Sequence, residues 1–444
     1  MDNDRARELT LHGGTLLCLD VPEGTQIGFD NKLWTSGPLF KGIKMIPPGI
    51  HMFYTMTSNA FDESSPVNSY FLRFVEPNPK NTPNPENEDE PKLEYGQVIL
   101  KKWNRELEEF HRDDDISSEE LSAYTEGVHR FDFDKNLAPY PYDDPSTLLW
   151  KKLTKHVSPS LLKRILPLSG VINGEACSFT NESTSIDRQE KKLLSELDLK
   201  LKQFNDSRKN IPSKSIPERI SKNPTNSNNN NNSSTSNGKP ESSNWGVPNF
   251  TKIPITPPKS LNIKNMTKWN MDKSQCLEYL LKKHYSTDED IIGEMEFSYV
   301  LFVYGLTWSG FQQWKALVSL FLQCDDLVQL KPTLFTEFFQ MLYNQISESP
   351  EDMFQSDLTS NIFLKPLLKS FIESNYSQTS EPKQDENHEK LFKSVIQLKN
   401  LFESKFKLNL NLFNEVGNYQ DDYNDDDDEE DKPMIILDVN KFTY

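Results

Sequence analysis

The chain has 444 residues, only 35 % of them hydrophobic, and a formal net charge of −18. That length accommodates two or three domains, and the acidic balance argues against a nonspecific nucleic-acid binder, which needs a basic surface to neutralise phosphates. Four scattered cysteines (Cys18, Cys177, Cys276, Cys324) form neither a disulfide framework nor a zinc motif. No apolar run approaches a membrane span, and none follows the N-terminus as a secretion signal.

Residues 1–168 read as a β-rich domain with appended helices. Strands are expected at 15–20, 50–57, 69–76 and 95–103, with a Pro-, Asn- and Glu-rich loop at 78–91. Between the first two strands lies dense turn chemistry, Val21-Pro-Glu-Gly-Thr-Gln-Ile-Gly-Phe-Asp30 and then Gly37-Pro-Leu-Phe-Lys-Gly-Ile-Lys-Met-Ile-Pro-Pro-Gly-Ile-His51. Pro22 and Gly24 bend the chain, and Gly28 takes a positive φ or allows close backbone approach. Pro47 and Pro48 lack N–H donors and cannot sit inside a ladder. His51 has no cysteine or histidine at ligand spacing and reads as a satisfied strand residue. Ser117-x-x-Glu120 is a capping box. Pro145 opens a helix through His156, and Ser158-Pro159 starts another. In Leu137-Ala-Pro-Tyr-Pro-Tyr142 the two tyrosines are expected to pack against prolines.

Residues 169–262 read as a low-complexity, disordered linker. A charged amphipathic helix fits 186–204, but the remainder, including Asn228–Asn232, is too polar to offset its chain entropy. Residues 263–412 are all-helical by period, with helices expected at 269–284, 288–306 (capped by Thr287), 311–324, 334–346, 354–372 and 388–406. Residues 413–444 form an acidic tail with a terminal strand. The fold class is thus α+β and multidomain, a mainly β N-terminal domain joined by the linker to an all-α C-terminal domain.

Chemistry is scarce. There is no phosphate loop, no Gly-x-Ser-x-Gly elbow and no metal-binding pair among the seven histidines. A binding protein without metal or cofactor is favoured. The rival is a hydrolase or transferase whose site is assembled from scattered Asp, Glu and His.

The turn-dense stretch resembles the N-terminal signature of the AAR2 family of splicing factors. The resemblance rests on Pro-x-Gly-Thr-x-x-Gly-x-Asp at 22–30, Trp34, Gly37-Pro38, Phe40, Gly42 and the run from Lys44 to His51. Leu137–Tyr142 matches as well, except that Ala138 stands where the family usually has Gly. Gly293-Glu-Met-Glu-Phe-Ser-Tyr-Val-Leu-Phe and Phe311-Gln-Gln-Trp-Lys-Ala-Leu resemble its C-terminal domain. What the resemblance implies is an assembly chaperone and placeholder on the large U5 snRNP scaffold protein, pre-mRNA-processing-splicing factor eight. Contact would run through that protein's RNase-H-like and Jab1/MPN-like domains, keeping its helicase partner and snRNA away until release. It also implies a monomer that binds neither nucleic acid nor membrane directly, in the cytoplasm with the nucleus as a second location.

The tail adds a physical hint. Residues 421–431 hold nine carboxylates, and Lys-Pro433-Met-Ile-Ile-Leu-Asp-Val-Asn440 follows. Met434, Ile435, Ile436, Leu437 and Val439 must be covered, either by docking on their own domain or by adding a strand to a partner's sheet. The family's comparable tail favours the partner. Thr256-Pro257, between Lys252 and Lys259, is a candidate phosphorylation site controlling release.

Overall fold

The computed structural model describes residues 3–56, 67–76, 95–174, 246–254, 256–257, 268–349, 364–376 and 385–406. The expected loop at 78–91, the helix at 186–204, the Asn tract, the first part of the 354–372 helix and the terminal strand lie outside the described residues.

The N-terminal part begins with helix α1 (Asn3–His12) and builds two five-stranded sheets. The first takes β1 (Gly14–Leu19), β4 (Gly42–Ile46), β7 (Val98–Asn104), β8 (Glu109–Phe110) and β9 (Leu137–Pro139), in the order β8-β7-β1-β4-β9. The second takes β2 (Gln26–Phe29), β3 (Lys32–Thr35), β5 (Gly49–Met56), β6 (Val67–Phe74) and β10 (Val171–Asn173), in the order β10-β6-β5-β2-β3. The second sheet is antiparallel throughout, and the first mixes parallel β1–β7 and β4–β9 pairs with antiparallel ones.

Alternation along β1 explains why every one of its residues is buried. Leu16 and Cys18 join Phe29, Phe53, Tyr70 and Phe74 of the second sheet in a core between the sheets. Leu17 and Leu19 point the other way, onto Tyr124 and Val128 of helix α2 (Ser118–His129). Gly28 does not adopt a positive φ; it gives close approach, since a Cβ there would fall 2.0 Å from the Tyr54 ring. The capping box at α2 is only half made. Ser117 Oγ accepts the Glu120 N–H at 3.1 Å, but the Glu120 carboxylate turns to Lys102 on β7 at 2.9 Å.

Helices α3 (Pro145–Leu153) and α4 (Pro159–Ile165) lead toward the helical part, with Ser158 Oγ capping α4 through the Leu161 N–H at 3.1 Å. That part comprises α5 (Ser274–His284), α6 (Glu289–Val303), α7 (Trp308–Phe321), α8 (Asp326–Leu330), α9 (Pro332–Glu348), α10 (Lys365–Tyr376) and α11 (Glu386–Phe406). Every residue of α6 from 290 to 303 is buried, because neighbours surround it. Phe71 on β6 meets Phe297 at a ring-centroid distance of 4.6 Å, so α6 lies on the outer face of the second sheet. Thr287 does not cap α6 as expected. Instead Asp290 Oδ2 reaches back to accept the N–H groups of Ser286 and Thr287, both at 3.1 Å.

Candidate functional site

The polar members of the signature stretch converge inside the sandwich. Asp30 ends β2 with a left-handed φ of 53°, which orients its carboxylate inward. Its Oδ1 accepts the Met52 N–H at 3.1 Å, and its Oδ2 faces His51 Nδ1 at 2.7 Å and accepts the Tyr140 hydroxyl at 2.8 Å. His51 Nε2 is held by the Pro47 carbonyl at 2.9 Å, and the ring stacks on Phe29. Burial and the Asp30 charge push the Tyr140 hydroxyl far above the usual phenol range. A carboxylate, imidazole and hydroxyl in contact invite an acid–base reading. Exposures of 2, 3 and 4 % for Asp30, His51 and Tyr140 defeat it, because no substrate reaches them and both imidazole nitrogens are occupied. The triad fastens the β2–β3 turn and the Tyr140 segment to β5. His51 is thus a satisfied strand histidine. Tyr140 does more than pack, because its hydroxyl is a working donor.

A second network joins the sandwich and its helices to α6. Glu294 is fully buried, and five donors satisfy its carboxylate. Arg164 Nη2, Thr251 Oγ1 and the Tyr285 hydroxyl reach Oε2 at 2.6, 2.8 and 2.8 Å, while the Thr251 N–H and Gln313 Nε2 reach Oε1 at 2.8 and 2.9 Å. Two residues on, and so on the opposite side of α6, Glu296 accepts the His156 N–H at 2.6 Å and faces His156 Nδ1 at 2.9 Å; Glu337 stands at Nε2 at 3.2 Å. Burial raises the Glu296 carboxyl above its ordinary range, against the pull of His156. Buried carboxylates are tolerated only when satisfied in this way. Here too both imidazole nitrogens are taken. Helix α3 stops at Leu153, short of the expected end at His156, which leaves the helix to meet Glu296.

Of the expected site residues, Thr256 is described and exposed. It follows the segment 246–254, which is tied down by Asn249 N–H to the Ile165 carbonyl at 2.7 Å and by Thr251 to Glu294. Met434, Ile435, Ile436, Leu437 and Val439 lie outside the described residues. Among the described residues no cluster of three or more His, Cys, Asp or Glu could hold a metal ion, and no helix is long and apolar enough to cross a membrane. Sequence reasoning passed over Glu294 and Glu296. Two carboxylates inside an apolar helical run were the available signal, since such groups demand partners.

The AAR2 N-terminal domain family matches residues 12–167, and the AAR2 C-terminal repeat region matches residues 250–411. The chain belongs to the AAR2 family. Curated AAR2 homologues resemble it along most of their length. The human protein is 28 % identical over 382 residues, covering 84 % of this chain and 86 % of the relative. The mouse protein is 26 % identical over 385 residues, with coverage of 84 % and 86 %. The Caenorhabditis elegans protein is 25 % identical over 401 residues, covering 90 % and 95 %. Both AAR2 matches contribute to the Glu294 network, Arg164 from the first and Thr251, Tyr285 and Gln313 from the second.

Proposed function

We propose that this protein is a pre-mRNA splicing factor of non-catalytic character, an assembly chaperone that occupies the large U5 snRNP scaffold protein, pre-mRNA-processing-splicing factor eight, during maturation. Membership of the AAR2 family across both folded parts carries the reading. Its binding is steric: while it holds the RNase-H-like and Jab1/MPN-like domains, helicase and snRNA wait. The inward-turned Asp30–His51–Tyr140 and Glu294 sets support a binder over the hydrolase or transferase alternative, since their polar groups are spent on holding the fold.

In this reading the terminal segment adds a strand to the scaffold. Alternation sends Ile435, Leu437 and Val439 to one face and Met434, Ile436 and Asp438 to the other. Each buried Ile or Leu contributes about 1.5–3 kcal/mol, against about 1–2 kcal/mol per ordered backbone residue, so the strand alone binds weakly. Tethering to the folded parts raises its effective concentration. The acidic leash steers it toward a basic rim, so its contribution falls with salt. A phosphate on Thr256 would add about two negative charges and favour release.

The test is binding of the full chain to recombinant scaffold domains. Leu437→Asp and deletion from Pro433 onward should both weaken it while sparing the melting temperature of the free protein, and Thr256→Glu should also weaken it. Absence of wild-type binding would refute the reading. A deletion that destabilises the free protein yet spares binding would place the tail on its own domain.

A further inference from the structure

The signature stretch has an outer surface as well as a buried one. An open groove of about 730 Å³ lies where the 20–25 turn, the 37–41 loop and the residues around the β7–β8 hairpin meet. Its walls are fixed by hydrogen bonds. Ser36 Oγ and the Thr25 hydroxyl both donate to the Pro22 carbonyl, at 2.7 and 2.9 Å. The Gly24 N–H donates to Ser36 O at 2.9 Å, and the Cys18 N–H to Lys41 O at 2.7 Å. This rigidity means that a ligand would pay little to organise the site.

The lining combines apolar and charged groups. Pro22, Phe40 and Trp103 supply the apolar part. Trp103 is 4 % exposed, and its indole N–H has no acceptor among the described residues. Asp20, Glu23, Lys41, Arg105 and Glu108 supply charge, and none of them makes an ion pair among the described residues. Elsewhere on the sandwich lysines are paired, as in Lys32–Asp144, Lys44–Asp134, Lys101–Asp113 and Lys102–Glu120. One large apolar side chain stands out on the groove's 37–41 loop: Leu39, between the lining residues Pro38 and Phe40, is 71 % exposed.

A small apolar ligand would remain half in water in so open and charged a site. An extended polypeptide would cover Leu39 together with the groove, and three carboxylates against two cations favour cationic side chains on it. We infer that this groove docks an extended segment of the protein partner in which basic and apolar residues alternate. The inference rests on the partner-binding reading above and adds a second contact, remote in sequence from the tail.

The experiment uses the full chain and the recombinant scaffold domains. Wild type is compared with Leu39→Asp, with the double variant Glu23→Lys/Glu108→Lys, and with Leu168→Asp, a fully exposed residue on another loop. The groove variants should lose affinity roughly tenfold, with association in the charge-swapped variant less sensitive to salt, whereas Leu168→Asp should bind as wild type. All should keep the wild-type melting temperature, since every altered side chain is exposed. A photo-crosslinker at position 39 should attach to a partner segment rich in Lys or Arg next to apolar residues. Groove variants that bind like wild type, or crosslinks confined to an acidic segment, would overturn the inference and leave the partner reading intact. If wild type itself does not bind, both fall.

Discussion

Gly293 on the buried helix α6 faces the His156 carbonyl so closely that a Cβ built on it would fall 2.2 Å from that oxygen. The contact sets the spacing between α6 and the chain entering α4. Gly293→Ala should therefore destabilise by about 1–3 kcal/mol through overpacking, read as a lowered urea midpoint. Gly37→Ala is the control, because a Cβ there meets nothing within 4 Å. It should stay within about 0.5 kcal/mol of wild type.

Glu294→Ala should cost about 3 kcal/mol, because it strands several buried donors at once. Arg164 can recover some water, being 31 % exposed, so Tyr285, Gln313 and the Thr251 N–H carry most of the loss. A double-mutant cycle with Arg164→Met, measured by urea denaturation, should show coupling between the two residues.

Tyr140→Phe should cost about 1.5–3 kcal/mol, the usual range for losing a hydrogen bond to a charged group. The edge-on ring contacts with His51 and Phe29 would persist. Calorimetric melting would check this. Scaffold binding at a temperature where both proteins are folded should not change, since the hydroxyl is buried.

Two carboxyls should give opposite pH slopes. Burial disfavours the Asp272 charge, but hydrogen bonds from Ser274 and from the Asp325 N–H outweigh it and hold the carboxyl below its ordinary range. The unfolded chain then binds the proton more readily, so the Asp272 contribution is present above about pH 4 and lost as pH falls through the lower native value. Asp272→Asn should be less stable than wild type at neutral pH, with the gap closing in acid. Glu296 is raised by burial, so the native state binds its proton more tightly and stability drains away as pH rises above the ordinary value. Relative to Glu296→Gln, wild type should lose stability as pH climbs through that window. Urea midpoints between pH 3 and pH 7 would show both.

The long strands and helices were legible because their period persists. Expected strands at 15–20, 50–57, 69–76 and 95–103 correspond to β1, β5, β6 and β7 with shifts at their ends. Strands β2, β3 and β4 were not read, because each has four or five residues and sits inside turn-rich sequence where alternation has no room to show. The signature was recognised as specific while its reason stayed hidden. Asp30 and Tyr140 touch across 110 residues, and no local pattern encodes that meeting. The expected Thr287 cap rests on residue type, which cannot foresee that Asp290, inside the helix, turns back to accept the N–H groups of Ser286 and Thr287 ahead of it.

Synthesis gives the Phe71–Phe297 contact a temporal meaning. The outer face of the second sheet leaves the ribosome long before the helix that covers it. Until α6 and the Gly305 turn behind it arrive, Phe71 and Met52 lack these neighbours, and a nascent chain stalled in between presents a sticky β surface. An N-terminal fragment made by itself should therefore clump, and co-expression of the missing half in trans should rescue it.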